Sequence, residues 1–511
     1  MTDPRPVAAH STPLVQVAAW LGLPDPGAAA GVTGISLSTQ RIHPGDLYAA
    51  LPGTRAHGAS YSAAAVEAGA AAIVTDAAGA EIVAGLDLDV PVLVVPDPRA
   101  VLGTLSAHVY GDPARHLRLI AVTGTQGKTT TTRLAELALE SAGVPAAVIG
   151  TVGTRINGVD IKTALTTPEA PDLHGLFAVM VEKQVDACAM EVSSHALVLG
   201  RVDGVTFDVA VFLNLGRDHL DFHADLDEYF AAKRKLFARD RARLALVNID
   251  DEHGRLLVHQ LASDPRGIPV RTFSITGARA DWQASAIEAG ADGSRFTVTG
   301  PGNVRVVTSV PIAGAFNVSN ALAAIAAAAE AGFDPEEVAE GLGRSGGVPG
   351  RLEQVETGRD FHVVVDYAHK PDAVEAALST LRPLTAQAGG RLICVIGAGG
   401  DRDTGKRPVM GEIAARLADL VIVTDDNPRS EDPAVIRAAV LEGTRDGAGE
   451  VREVGDRREA IRVALSSAGP GDIVLVAGKG HETGQEVAGV VHPFDDRVVV
   501  REELARIGGE L

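Results

Sequence analysis

Leu119-Ile-Ala-Val122, then Thr123-Gly-Thr-Gln-Gly-Lys-Thr-Thr130, then the run from Thr132 to Ala142, is the stretch on which the fold turns. The apolar quartet reads as a buried strand, the glycine segment as a loop, and the Ala/Leu/Glu-rich run as a helix. Gly124 and Gly127 let backbone N–H groups close on phosphate oxygens, and the helix N-terminus adds positive potential. Lys128 is placed to reach the outer phosphates and the Thr129 hydroxyl to ligate Mg²⁺, with Thr125, Gln126 and Thr130 completing the loop. A full Walker A loop has a glycine where Val122 stands, so this is a shortened variant. Strand and helix lie where phosphate binding needs them, which favours a nucleotide site over a plain glycine turn.

Outward from that loop, short Val/Ile/Leu runs alternate with helical patterns from Val90 onward, the rhythm of parallel sheets covered by helices. An α/β protein is expected. Breaks occur at Tyr110-Gly-Asp-Pro113, a turn before a new strand, and at the glycine-rich stretch Gly341 to Gly350, read as a hinge. They predict domains at residues 1–112, 113–346 and 347–511, the first holding short strands such as Val92 to Val95. That number suits 511 residues.

A formal charge of −20 disfavours nucleic acid and anionic membrane surfaces as partners, so any phosphate must be held locally. Cys188 and Cys394 lie in apolar runs and read as reduced core thiols, which points to the cytoplasm. Met1 to Leu14 lacks a signal-peptide pattern, and the Ala-rich stretch Ala321 to Ala329 is too short to span a bilayer. A soluble monomer is the expectation.

Two further residues near the nucleotide are candidates for metal ligation. Glu191 ends the apolar run Ala187 to Met190, and His219 lies in Asn214-Leu-Gly-Arg-Asp-His-Leu-Asp221. A carboxylate suits Mg²⁺ well; an imidazole suits it less, and a structural histidine is the competing reading.

In the third segment, Phe361 to Val365, Leu392 to Ile396, Leu420 to Val423 and Ile473 to Val476 read as buried strands, each running into a polar loop. The loops are Asp366-Tyr-Ala-His369, Gly397 to Asp403, Thr424 to Arg429 and Gly478-Lys-Gly-His-Glu482. In a parallel sheet the carboxyl ends of strands share one edge, so these loops are expected to converge on one crevice. Ordinary surface turns are the plainer alternative, but turns seldom carry this density of Arg, Asp, His and Glu.

Together these residues resemble the Mur ligase family, the ATP-dependent amide-forming enzymes of peptidoglycan synthesis. The resemblance spans nearly the whole chain and rests on Thr123 to Thr130, Thr166-Thr-Pro-Glu169, Glu191-Val-Ser-Ser-His195, Asn214 to Asp221, Gly314 to Asn320, Gly350-Arg-Leu-Glu353 and Asp366 to Pro371. It implies an N-terminal α/β UDP-binding domain, a central P-loop ATPase domain and a C-terminal Rossmann-like domain. By matching position, Lys128 would hold the outer phosphates, while Thr129, Glu191, His219 and Lys233 would serve Mg²⁺. Asn317 and Asn320 would sit by the adenine, with Arg351 and Asp366 also at the nucleotide. Thr39, His57, Thr166, Thr167, Ser193 and Arg201 would contact the UDP-muramoyl dipeptide.

Lys233 matches the family lysine that CO2 carbamylates. From periodicity alone, the helix Tyr229 to Phe237 has a basic face on which a solvated lysine is the simpler reading. Carbamylation would turn the amine into an anionic ligand, with Arg234 and Lys235 favouring the free amine.

The implied reaction is phosphorylation of a carboxylate by ATP, then attack on the acyl phosphate by an amine. Catalysis is then mainly positioning and electrostatics, with domain closure excluding water. The chain most resembles the members that add diaminopimelate to UDP-N-acetylmuramoyl-L-alanyl-D-glutamate. Diaminopimelate is lysine-like with an extra far carboxylate, which calls for a bidentate donor; Arg429 in Asp426-Asn-Pro-Arg429 is one, and Arg402 a second. Asp426, Asn427, Pro428, Gly478 and Glu482 complete the expected pocket, Glu482 pairing with the distal ammonium. Lysine would set an ammonium against Arg429, and it remains the alternative amino acid.

Two departures stand out. Ser38-Thr-Gln40 stands where the family has Asp-Ser-Arg near the uridine, with Thr39 keeping a hydroxyl, and Gln126 replaces the usual loop Asn. Competing readings are a folylpolyglutamate synthetase, which leaves Gly34 to Gly58 without a purpose, and a nucleotide switch, against which the acceptor loops argue.

Overall fold

The computed structural model describes residues 5–7, 10–161, 163, 165–216, 218 and 222–509. His219, expected at the metal, lies outside the described residues. The chain forms two compact units: Met1–Ala284 with Val298–Val306 and Asn320–Arg344, and Ser285–Thr297 with Val307–Ser319 and Ser345–Leu511.

The first unit holds two separate sheets. Near the N-terminus, the strands Gly34–Ser36, Asp46–Ala49, Ala72–Thr75 and Val92–Val94 are parallel and paired in chain order. The larger sheet has a parallel part in the order Ala146–Gly150, Ala187–Glu191, Arg118–Thr123, Phe207–Phe212, Ala242–Asn248, Val270–Ser274. From its first strand, Arg118–Thr123, the chain builds outward to one side and then returns to build on the other. That reversal leaves a crevice at the carboxyl end of Arg118–Thr123, where the glycine loop begins. The central strands are apolar over most of their length, as strands covered by helices require: Leu119, Ile149, Met190 and Phe212 share one core with Phe177 and Phe237. Burying each of the three phenylalanine-sized side chains contributes about 1.5–3 kcal/mol.

The helix after the loop runs Lys128–Ser141, beginning earlier than periodicity indicated because its first turn is the polar Thr129 to Thr132. Against it packs the helix Pro335–Arg344. Gly341 lies inside that helix, where a Cβ would come within 2.4 Å of the Ala138 carbonyl. The first part of the stretch read as a hinge is therefore a packed helical turn whose glycine serves close approach. The turn expected at Tyr110 is present: Gly111 and Asp112 both have positive φ, and a 3-10 turn Pro113–His116 follows.

The second unit contains a six-stranded sheet in the order Glu353–Val355, His362–Asp366, Ile473–Ala477, Leu392–Ile396, Leu420–Val423, Glu450–Glu453. The four strands read from the sequence are adjacent and parallel, so their following loops do share one edge. The edge strand Glu450–Glu453 escaped the reading because its Glu-Val-Arg-Glu sequence is largely exposed and has no apolar run. Cys188 and Cys394 are buried free thiols, as expected. Among the described residues, no helix is long and apolar enough to cross a membrane.

Candidate active site

In the first unit the glycine loop is built around its own backbone. Gly124 and Gly127 have φ of +159° and +85°, and a Cβ on Gly127 would come within 2.4 Å of Asn320 Oδ1. Asn214, just past the strand Phe207–Phe212, clasps the loop: its Oδ1 accepts from Thr125 N–H at 3.0 Å and Gln126 N–H at 2.9 Å, and its Nδ2 donates to the Gln126 carbonyl. Thr125 Oγ1 accepts from Gly216 N–H and lies 3.4 Å from the Tyr229 hydroxyl. Lys128 Nζ folds back onto the carbonyls of Gly124 (2.8 Å) and Thr125 (3.0 Å). Thr130 is buried in the helix's first turn, and Asn320 accepts from Thr131 Oγ1.

Lys233 sits in the helix Leu226–Arg234, capped by Asp225 accepting from Glu228 N–H. Far from being solvated, it is 1 % exposed, with Nζ 2.9 Å from the Gly124 carbonyl and 4.3 Å from the Tyr229 ring centre. Lys128 and Lys233 thus donate to the same oxygen. Burial, with the Lys128 ammonium second, drives the Lys233 amine well below the ordinary lysine range. The neighbours invoked from the sequence, Arg234 and Lys235, are exposed; the group favouring a neutral amine is Lys128. A signal for this burial exists in the sequence: Leu226, Tyr229, Phe230, Lys233, Leu236 and Phe237 follow helical spacing, so Lys233 occupies an apolar stripe.

Glu191 ends its strand on the neighbouring side of the loop and is buried. Its Oε1 accepts from Thr129 Oγ1 (2.9 Å) and Thr151 N–H (2.7 Å), and its Oε2 from Thr151 Oγ1 (3.2 Å). Thr151 Oγ1 lies 3.1 Å from Thr166 Oγ1. Thr167 Oγ1 donates to the Glu191 carbonyl and accepts from Ser193 N–H. Arg201 donates through Nε to Glu169 Oε1 and through a terminal nitrogen to the Thr167 carbonyl. Glu169 also takes Arg99 from the N-terminal sheet's helix Pro98–Val109. Thr166, Thr167, Ser193 and Arg201 are therefore one connected cluster with Glu191 and Thr129. Sequence reading missed Thr151 and the clasping role of Asn214, both of which follow strand ends.

Thr39 opens a 3-10 turn, Thr39–Arg41, and is partly exposed. His57 Nδ1 accepts from Ala59 N–H, so Nε2 carries the proton and faces Asp76 Oδ1 at 3.1 Å. Both ring nitrogens are thereby engaged within the N-terminal sheet's own layer.

In the second unit, Asp366 ends its strand and accepts from the N–H groups of Leu352 and Ala368. Burial raises its pKa, opposed by Arg351, whose guanidinium lies 5.0 Å from the Tyr367 ring centre. Asn317 is buried, its amide donating to the Ala313 carbonyl.

The loop after Leu420–Val423 carries Asp426, Asn427, Pro428 and Arg429. Arg429 has φ of +52° and is bracketed by backbone bonds to the hairpin formed by Gly484–Val487 and Val490–Pro493: its N–H donates to the Glu486 carbonyl and its own carbonyl accepts from Ala488 N–H. Its guanidinium donates to the Gly400 carbonyl and stands 3.4 Å from Glu486 Oε2. Arg402 is exposed on the neighbouring loop. Glu482 Oε2 accepts from Asn427 Nδ2 at 2.9 Å and from Lys479 Nζ at 3.2 Å. Gly478, with φ of +119°, faces Asp426. The expected pocket residues Asp426, Asn427, Arg429, Gly478 and Glu482 thus lie on contacting loops. Lys479 was read from sequence only as part of a polar loop.

A strand, glycine loop and helix ringed by Glu191, Thr129 and a buried lysine define a phosphate-binding α/β protein of the P-loop type. The chain belongs to the Mur ligase family: residues 31–110 match the Mur ligase family catalytic domain, 122–328 the Mur ligase middle domain, and 350–480 the Mur ligase glutamate ligase domain. A relative from Streptomyces coelicolor, UDP-N-acetylmuramoyl-L-alanyl-D-glutamate--2,6-diaminopimelate ligase, is 52% identical over 511 residues, covering 99% of both chains. One of the same name from Corynebacterium efficiens is 53% identical over 469 residues, covering 90% of this chain and 87% of the other. A solved structure of a ligase with that name superposes with a TM-score of 0.70 at 33% identity, covering 98% of this chain and 100% of the other.

Proposed function

We propose that this chain is an ATP-dependent amide ligase that adds meso-diaminopimelate to UDP-N-acetylmuramoyl-L-alanyl-D-glutamate. The observation that carries the reading is the meeting of the glycine loop, Glu191 from the neighbouring strand's end and Lys233 from the helix Leu226–Arg234. The names of the relatives supply the substrate class, and Arg429 supports the choice of amino acid.

In this reading the loop N–H groups and Lys128 bind the ATP phosphates, Lys128 exchanging its loop carbonyls for phosphate oxygens. The dipeptide's terminal carboxylate attacks the γ-phosphorus, giving an acyl phosphate and ADP. Two anions must approach, so the chain's work is to hold them in line and offset their repulsion with Lys128 and the loop dipoles. The neutral amine of the amino acid then attacks the acyl carbon, loses a proton, and expels phosphate. Thr166, Thr167, Ser193 and Arg201 position the dipeptide; Arg429 and Arg402 take the far carboxylate of the amino acid, and Glu482 its ammonium. Asn317, Asn320, Arg351 and Asp366 serve the nucleotide, and Thr39 and His57 the UDP end.

Glu191 with the hydroxyls of Thr129, Thr151 and Thr166 is an all-oxygen donor set that fits a hard divalent cation, so Mg²⁺ would be held there and would neutralise phosphate charge. His219 is a further candidate ligand. If the Lys233 amine added CO2, forming a carbamate and releasing a proton, the resulting anion would be a ligand for a second Mg²⁺, and the neighbouring Lys128 ammonium would favour it. The reading carries domain boundaries after residues 112 and 346, a cytoplasmic location and a monomeric enzyme.

The test is ATP turnover with purified protein. Turnover should require both the UDP-muramoyl dipeptide and diaminopimelate, with one amide per ADP. Turnover without the dipeptide would mark a nucleotide switch. Preference for lysine would move the amino-acid assignment, and use of folate would move the acceptor.

A further inference from the structure

Resting on the ligase reading above, we infer that Lys479 is a positioning residue that sets the amino-acid pocket, holding Asn427 and Glu482 in the one arrangement that accepts the incoming substrate.

Lys479 follows the strand Ile473–Ala477 and its side chain is fully buried. A buried ammonium is tolerated only where acceptors surround it. Its Nζ meets Asn427 Oδ1 at 3.0 Å, Glu482 Oε2 at 3.2 Å and Asp426 Oδ1 at 3.6 Å. Two of these are hydrogen bonds and the third is the ion-pair distance to Asp426, all to residues assigned to the amino acid.

The consequence for Asn427 is specific. Its Oδ1 accepts from Lys479 and from Glu486 N–H at 3.0 Å, which leaves Nδ2 to donate to Glu482 Oε2. The ammonium and the Glu486 N–H, both donors to Oδ1, together fix which way the amide faces. Glu482 receives both inward bonds on one oxygen while its side chain stays one-third exposed, so it is anchored from behind and still reachable.

The backbone is shaped to send Lys479 inward. Gly478 and Gly480 flank it with φ of +119° and +54°. A Cβ on Gly480 would come within 2.8 Å of the Tyr367 backbone, so the loop closes tightly only with glycine there. Two left-handed glycines and a buried charge cost stability that an apolar side chain would not, and what they secure is the geometry of two pocket side chains.

The test uses the full-length Lys479→Met and Lys479→Arg variants with ATP, UDP-muramoyl dipeptide and meso-diaminopimelate. Both should raise KM for diaminopimelate by tenfold or more, while dipeptide-dependent acyl phosphate formation, read by borohydride trapping, stays within twofold of the parent. Arginine keeps the charge but its wide planar fork displaces Glu482, so it should not rescue. If Lys479 were only a structural ion-pair partner, Lys479→Arg would restore the parent KM, and that result overturns the inference. An equal fall in acyl phosphate formation and amide formation overturns it as well. Should Lys479→Met not fold, the arginine variant alone decides. Failure of the parent protein to form any acyl phosphate would instead refute the ligase reading, a separate outcome.

Discussion

The phosphate loop of the first unit and the acceptor loops of the second are both built at carboxyl ends of parallel strands, yet they are held in different ways. Around the phosphate loop, side chains serve the backbone: Asn214, Lys128 and Lys233 bond loop carbonyls and N–H groups, and Glu191 takes the N–H of Thr151. Around the acceptor loops, side chains hold side chains: Lys479, Asn427 and Glu482 bond one another from loops far apart in sequence. The first arrangement suits a ligand present in every turnover, because a curled backbone presents its N–H groups whatever residues flank it. The second suits discrimination, because its shape depends on the chemistry of a few groups. Damage to the first should stop everything, and damage to the second should split the reaction into a spared half and a lost half.

The largest effect is expected from Lys128→Ala, which should lower ATP turnover and amide formation together by about 1000-fold or more. Gln126→Ala is its control: the loop uses the backbone of residue 126, so turnover should fall by no more than about threefold. A larger loss from Gln126→Ala would break the contrast, since the side chain would then be carrying what is assigned here to the backbone.

Next comes Lys233→Arg. A guanidinium adds no CO2 and would set a fixed second cation beside Lys128, so a loss of roughly 100- to 1000-fold is expected. The parent enzyme should lose activity in CO2-depleted buffer and regain it on adding bicarbonate, whereas the variant should respond to neither. Burial, with Lys128 second, lowers the amine pKa, so more of it is in the neutral form that reacts with CO2 than an exposed lysine would supply. A bicarbonate-insensitive parent would show that Lys233 acts as a plain amine.

On the acceptor side, Arg429→Lys should reduce kcat/KM for diaminopimelate by about 10- to 100-fold, the size of a charged hydrogen-bonded contact. Acyl phosphate formation should be spared and the preference over lysine should narrow. Unchanged selectivity would remove the carboxylate grip from Arg429.

The same contrast explains what could be read from sequence. The phosphate loop was legible because its mechanism is local: strand, glycines, lysine and helix are contiguous. Thr166, Thr167, Ser193 and Arg201 were legible only through family motifs, since nothing local brings Thr167 to Ser193; hydrogen bonds of the Thr167 hydroxyl with the chain at and just past the end of the strand Ala187–Glu191 do. Lys233 misled periodicity because a charged residue on a two-turn amphipathic helix is usually placed on the wet side, although its apolar neighbours at helical spacing marked the buried stripe. Gly341 misled for another reason: small residues allow close helix packing as readily as they allow flexing, and only the contact with Ala138 distinguishes the two. Lys479 was invisible because its partners lie 52 residues away and 3 residues away at once, a geometry that no linear pattern encodes.

The smallest effect concerns Glu486, and its sign is the informative part. Its carboxylate stands 3.4 Å from Arg429 Nε, where a substrate carboxylate would compete with it, and both side chains are partly exposed. Partly exposed pairs contribute about 0.2–1 kcal/mol, so removing the competitor with Glu486→Gln should lower KM for diaminopimelate by roughly one-and-a-half- to fivefold. The glutamine keeps the backbone bonds that the hairpin makes with Arg429, because those come from the Glu486 carbonyl and the Ala488 N–H rather than from the side chain. It should therefore leave kcat and acyl phosphate formation alone. A rise in KM would mean that Glu486 aims the guanidinium instead of occupying it, and the acceptor loops would then resemble the phosphate loop in one respect, with a charged group already oriented before its ligand arrives.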